Sequence, residues 1–494
     1  QAAAFDVGTH DWQKREVLVW PEKPVKAVHA YVLMRNHSGK AWFRDVSLRA
    51  QPAPEGACVF DSHHVLVKAT PEEGIQLFDA KAGNAIILAE GDPLSLQVKT
   101  SEKKQDNASF LDVTLSDTTG KDRAITIYYA MQVGREGVTW LEDAYTKRHS
   151  EPLGEIKNGI PYSRIGGGAL SRYPFGAVVS GSEGIALGID MDYPAFYRIG
   201  YSAGTGELFL AYDIGLTVEK PSAHVRVCRF SFDPMWGFRA VLDQYQRLFP
   251  NHFECRAKKQ GIWMPFAPIS EVEGWEDFGF AFKEGDGETT WDDAHEIKTF
   301  RYTEPMTWWM PMPKEMPRSY EAAVEEAKRL ANEGNAAAKA LLTSGFHDVE
   351  GKFLLEFQDT PWCNGAVWSM NSMPGISGDA TDFKIKWNAD ICDRLYGPGR
   401  TADLDGEYVD SSEGYITKEL DFRRENFATA DTPLTFSSDG KEPCIFRGLI
   451  VFEYARAIAS DVHGLNKLMM ANSTPRSLCW LAPQFDVLGT ETNW

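Results

Sequence analysis

The chain changes its rhythm near Asp233, and that change limits its folding more than any other feature. From Pro52 to Phe232 the sequence is a series of short runs, among them FLDVTLSD, AITIYYAMQ, ELFLAYDIGL and AHVRVCRFSFD. Each alternates polar with apolar residues or is apolar throughout, and Gly, Asp, Asn and Ser separate them. Regular spacing without long helical patterns predicts packed antiparallel sheets, a β-sandwich over 52–232. In PMWGFRAVLDQYQRLFP the apolar residues Phe238, Val241, Leu242, Tyr245 and Leu248 recur with helical period until Pro250, which predicts a linker helix within 233–258. Beyond it strand-like and helical runs alternate, as parallel α/β architecture requires. A chain of 494 residues exceeds one typical core. The expected fold class is therefore multi-domain β plus α/β.

The region 259–494 offers seven strands, at 261–269, 278–284, 305–313, 406–414, 433–440, 467–475 and 478–494. One helix opens at a Ser319 cap and another ends at Gly464. AVWSMN at 366–371 reads as part of an insertion. Repeated βα units predict a (β/α)8 TIM-like barrel, here without its last unit. The expectation is that the chain is truncated at both ends; disorder of the eighth unit or a miscounted strand would give the same tally. A doubly wound open sheet is the second candidate fold. No GxGxxG follows a strand to support it, and Gly166-Gly167-Gly168 reads as a turn.

A net charge of −19 repels phosphate backbones, which argues against nucleic acid as a partner. No apolar run approaches the ~20 residues of a transmembrane segment. Gln1-Ala2-Ala3-Ala4 lacks the basic and apolar regions of a signal peptide. The seven cysteines are scattered and odd in number, so neither a zinc site nor a dense disulfide framework is expected. Aromatic residues reach 12%, with 15 Trp, a composition that fills cores and also stacks on sugar rings.

The N-terminal stretch to Gln51 reads as three further strands, REVLVW, HAYVLMR and KAWFRDVSLRA, too few to bury a core alone. It resembles the closing strands of a jelly-roll carbohydrate-binding module, which commonly ends in the wording seen at Trp42-Phe43-Arg44-Asp45-Val46-Ser47-Leu48. The resemblance implies a partial module over 1–51 and a carbohydrate partner.

In a barrel the working residues stand at the C-terminal ends of strands. Those ends are rich in carboxylates here: Asp410 and Glu413 after the fourth strand, Asp439 after the fifth, Asp486 and Glu491 along the seventh. Glycoside hydrolysis needs two carboxyl groups on opposite sides of the scissile bond. Asp410, Glu413, Asp439 and Glu491 are the catalytic candidates. Trp263, Trp309, Tyr415, Asn472, Asp486 and Trp494 are candidates for substrate contact. Each has a plainer reading: Asp439 in SSDG suits a turn, Glu413 a first-turn helix position, and paired tryptophans a core. No metal or cofactor is expected. The acidic stretches 284–288 and 403–407 offer oxygen ligands for a structural calcium, but neither has EF-hand spacing, and solvated turns account for both. No GxSxG elbow suggests a serine nucleophile.

EYVDSSEG at the fourth strand resembles the retaining glycosidases of the barrel superfamily. The α-galactosidase-like and endo-α-N-acetylgalactosaminidase groups place an Asp nucleophile on strand four. Other families place a Glu acid/base there and a Glu nucleophile on strand seven. The first scheme implies Asp410 as nucleophile with Glu491 or Asp439 as acid/base, and the second implies Glu413 and Glu491. A secreted or cell-surface glycosidase is the expectation. A non-catalytic glycan-binding or surface protein on the same scaffold is the alternative, and a lyase with a Tyr, His or Lys base is a third reading. Two carboxylates in an aromatic-lined cleft would decide for the enzyme. Oligomeric state is open.

Overall fold

The computed structural model describes residues 5, 8–16, 27–34, 38–49, 56–66, 74–82, 84–86, 95–413 and 418–489. Among the described residues the runs FLDVTLSD, AITIYYAMQ, ELFLAYDIGL and AHVRVCRFSFD lie in two antiparallel sheets. One has six strands, with Glu207–Leu216 and Arg123–Gln132 at its centre. The other has seven, with Ser222–Phe232 flanked by Ala108–Asp117 and Glu183–Ile189. All ten residues of Glu207–Leu216 are buried. Leu208, Leu210, Tyr212 and Ile214 belong to the main core. On the opposite face Phe209 and Ala211 lie under Phe60 of the hairpin Ala57–Phe60/His63–Leu66, and Gly215 bridges to Leu434 of the C-terminal region. A strand covered on both sides reads as a continuous apolar run.

Among the described residues 27–34 and 38–49, which hold most of HAYVLMR and KAWFRDVSLRA, no strand is formed, and most of REVLVW lies outside the described residues. Trp42 and Tyr31 are 72% and 76% exposed.

Helix α1 (Phe238–Leu248) lies where the apolar spacing predicts it, with Tyr245 and Val241 buried against the sandwich. It stops before Pro250, which cannot supply the next amide hydrogen. The C-terminal region then builds one parallel sheet of six strands: β1 (Ile262–Met264), β2 (Phe280–Glu284), β3 (Lys298–Thr303), β4 (Gly406–Val409), β5 (Leu468–Asn472) and β6 (Val487–Gly489). Neighbours follow chain order throughout, so there is no switch point of the kind that marks a doubly wound sheet. The sheet is strongly curled: Trp263 of β1 packs on Tyr408 of β4 at 5.3 Å between ring centroids. Helix α2 (Arg447–Gly464) packs behind β4 and β5.

Three of the seven expected strands are corrected. Thr307–Pro311 is extended, but it pairs antiparallel with Asn364–Ser369, which also pairs with Leu355–Asp359. This three-stranded insertion contains AVWSMN, as expected. The parallel strand is β3, whose KTFRYT carries charge because Arg301 faces outward onto Glu407 at 2.6 Å. Thr435–Phe436 pairs antiparallel with Pro443–Phe446 and lies against the sandwich, outside the parallel sheet. Cys479–Gln484 is a 3-10 turn that buries Trp480 against Tyr197, and among the described residues of that stretch only Val487–Gly489 is strand.

Candidate functional site

Side chains alternate across a strand, so one parity of each parallel strand faces the concave side. That parity brings Tyr302 of β3, Tyr408 of β4 and Asn472 of β5 to one end of the sheet, with Asp410 directly after β4. Asp410 is half-buried and accepts hydrogen bonds from three strands. Asn472 Nδ2 and the Tyr408 hydroxyl reach Oδ1 at 3.0 and 3.2 Å, while the Tyr302 and Ser411 hydroxyls reach Oδ2 at 3.0 and 3.1 Å. Each Asp410 oxygen thus accepts from two side-chain donors.

A second carboxylate stands beside it. Glu304 follows β3, and its Oε2 lies 3.3 Å from the same Tyr302 hydroxyl. Trp309 of the insertion donates its indole N–H to both Glu304 oxygens, at 3.1 and 3.0 Å. Burial raises the Glu304 carboxyl above the usual range, the Trp309 bond opposes the rise, and the Asp410 charge adds to it. The Tyr302 hydroxyl is also pushed far up, by burial and then by the charges of Glu304 and Asp410.

Aromatic rings line this mouth. Phe266 packs on Tyr302 at 5.6 Å and Tyr302 on Tyr408 at 5.7 Å. Trp362, 69% exposed, meets Trp309 edge-on at 5.9 Å to make an open corner on the insertion side. Phe266, Met306, Ser411 and Ser473 all have positive φ and all lie just past the ends of β1, β3, β4 and β5. Sparsely populated backbone of this kind concentrates where loops are held for function.

The expected site residues divide. Asp410, Asn472, Trp263 and Trp309 come together here, with Trp263 forming the floor beneath Tyr408. Glu413 does not join them. Its carboxylate accepts the backbone N–H groups of Arg476, Ser477 and Leu478 and so anchors the loop after β5. Asp439 is exposed in the turn before Pro443, away from the parallel sheet. Asp486 sits at the opposite end of the sheet, before β6. It is buried there among His463 at 2.8 Å, the Met469 amide at 2.7 Å and Arg256 at 3.2 Å. Despite burial, these partners hold its carboxyl below the usual range. Tyr415, Glu491 and Trp494 lie outside the described residues. Sequence reasoning misses Glu304, because the apolar run after Pro305 draws the expected strand past it. The signal is an acid closing the short run TFRYT just before that proline.

In the acidic stretches that could offer oxygens to calcium, three acids face lysines. Glu288 faces Lys283 at 3.6 Å, Asp405 faces Lys298 at 2.8 Å, and Asp403 faces Lys467 at 3.4 Å. Asp190, Asp192 and His252 lie within 4.8 Å of one another, but the Arg226 guanidinium already bonds Asp190 at 2.9 Å.

No family model matches the sequence, and no curated protein matches it. Solved structures do. A variant of the GH36 alpha-galactosidase AgaA from Geobacillus stearothermophilus, bound to 1-deoxygalactonojirimycin, is similar with a TM-score of 0.49 and 11% identity. That match covers 86% of this chain and 65% of the other, so the chain spans less than two thirds of its length. The alpha-N-acetylgalactosaminidase NagBb from Bifidobacterium bifidum gives a TM-score of 0.38 at 8% identity, covering 83% of this chain and 72% of that one. A second Geobacillus stearothermophilus alpha-galactosidase, AgaB, gives 0.43 at 10% identity, covering 85% and 64%. No helix among the described residues is long and apolar enough to cross a membrane.

Proposed function

We propose that the protein is a retaining glycoside hydrolase with Asp410 as its nucleophile. One observation carries the reading: a carboxyl group at the C-terminal end of a parallel strand, held by donors from three strands, faces an aromatic-lined mouth that holds a second carboxyl group. In the reaction an Asp410 oxygen attacks the anomeric carbon as the glycosidic C–O bond breaks. The leaving oxygen takes a proton from an acid on the far side, and water then releases the sugar from Asp410. Glu304 shares a hydroxyl with Asp410, so it stands beside the nucleophile and not across the scissile bond. Glu491, which lies outside the described residues, is our choice for the acid/base, as the resemblance of EYVDSSEG to families with an Asp nucleophile on strand four implies.

The test is hydrolysis of aryl glycosides and oligosaccharides by the full-length protein. The panel includes α-galactosides and α-N-acetylgalactosaminides, the glycosides named for the similar enzymes. Asp410→Asn should lower kcat at least ~10³-fold, and Glu491→Gln should slow substrates with poor leaving groups most. Turnover by Asp410→Asn at the parent rate would end this reading. Glycan binding without turnover by the parent would favour a binding protein.

A further inference from the structure

A single hydrogen lies between Asp410 and Glu304. The Tyr302 hydroxyl is 3.0 Å from Asp410 Oδ2 and 3.3 Å from Glu304 Oε2, and a phenol has one hydrogen to give. Whichever carboxyl receives it, the other faces the lone pairs of the phenol oxygen. That second contact is attractive only when the second carboxyl carries a hydrogen of its own.

The supply of other donors decides which one that is. Asp410 has Tyr408, Ser411 and Asn472 in addition. Glu304 has fewer: one indole N–H from Trp309, shared between its two oxygens, and the Thr307 hydroxyl. We propose that Glu304 is a positioning residue that holds a proton: its carboxylic acid donates to the Tyr302 oxygen, and Tyr302 turns its own hydrogen to Asp410 Oδ2. The plane of the Asp410 carboxyl group is thereby fixed. No bond to carbon changes in this relay.

The groups facing Glu304 act in both directions, and burial is the largest of the effects. Asp410 approaches from β4 and Tyr302 from β3. The charge of Lys386, from the short helix Asp382–Lys386, opposes protonation of Glu304, but its ammonium is answered by both Asp382 oxygens at 2.8 Å. Burial and the Asp410 charge favour the protonated acid. The idea rests on reading Asp410 as the nucleophile, but its first test does not depend on turnover.

That test is an infrared titration of the full-length protein with ¹³C-labelled glutamate carboxyls. A glutamic acid band should persist to higher pH than the bands of the exposed glutamates. It should vanish in Glu304→Gln and titrate at lower pH in Asp410→Asn, where the neighbouring charge is gone. A Glu304 band that titrates with the exposed glutamates would overturn the proposal.

The second arm is kinetic. Glu304→Ala should lower kcat about 10²-fold with a smaller change in KM. Glu304→Gln, whose amide can donate to Tyr302, should recover at least about tenfold of that loss and remove the Glu304 ionisation from the alkaline limb of the pH profile. Equal damage by Gln and Ala would also overturn it. An Asp410→Asn variant with parent turnover would instead sink the glycosidase reading, whatever the infrared result.

Discussion

Asp410 and Glu413, neighbouring acids on one loop, have opposite fates. Asp410 ends an apolar strand and meets side-chain donors across the concave face. Glu413 turns away and takes three backbone amides of the 476–478 loop, bonds that oppose the rise which burial imposes on its carboxyl. Glu413→Ala should therefore cost about 1–3 kcal/mol of stability by stranding those amides, read as a lower denaturation midpoint. Glu413→Gln, which keeps an acceptor oxygen, should retain most of the activity. A ~10³-fold loss in Glu413→Gln would make it a catalytic acid after all. Asp410 is legible in the sequence because an acid closing the run EYV stands out. Glu304 is not, because Lys298 and Arg301 interrupt the apolar pattern of its strand.

At the scale of elements, charges on the outer face half conceal the parallel sheet. Arg301 pairs with Glu407, and Lys283 with Asp292 at 2.9 Å. Buried ion pairs satisfy these positions in three dimensions, but in one dimension they look like turns. The apolar runs at 305–313 and 433–440 mislead in the other direction. They contain strands, yet antiparallel ones, and composition does not encode pairing direction. The three-stranded insertion they partly disclose carries Trp309 and Trp362 to the mouth. If that corner stacks on a sugar, Trp362→Ala should raise KM about two- to tenfold, the worth of one aromatic contact, and move kcat less. The thermal midpoint should not change, because the ring is largely exposed. An unchanged KM on every substrate would remove the corner from the binding surface.

Over the whole molecule, the break in rhythm at Asp233 is plain, but it does not mark a break in the core. Tyr197 packs on Trp480, and Phe196 and Tyr162 pack on Phe446, joining sandwich residues to the C-terminal region in one apolar cluster. Arg424 reaches back to Asp122 and Glu219, each at 2.7 Å. Calorimetry on the full-length protein should accordingly show the region 95–489 unfolding in a single transition. Two resolved transitions split near residue 233 would contradict the shared core.

Strand Glu207–Leu216 has neither face to give to water, since one belongs to the sandwich and the other is roofed by the N-terminal hairpin and the segment around Leu434. A recombination event that parted the two halves of the gene would leave each with an uncovered surface it cannot solvate. The pair must therefore be inherited together. A shuffled library should keep activity only when both sides of that strand come from one parent, or when the exchanged segments preserve the small residue at Gly215 and the rings at Phe60 and Phe446.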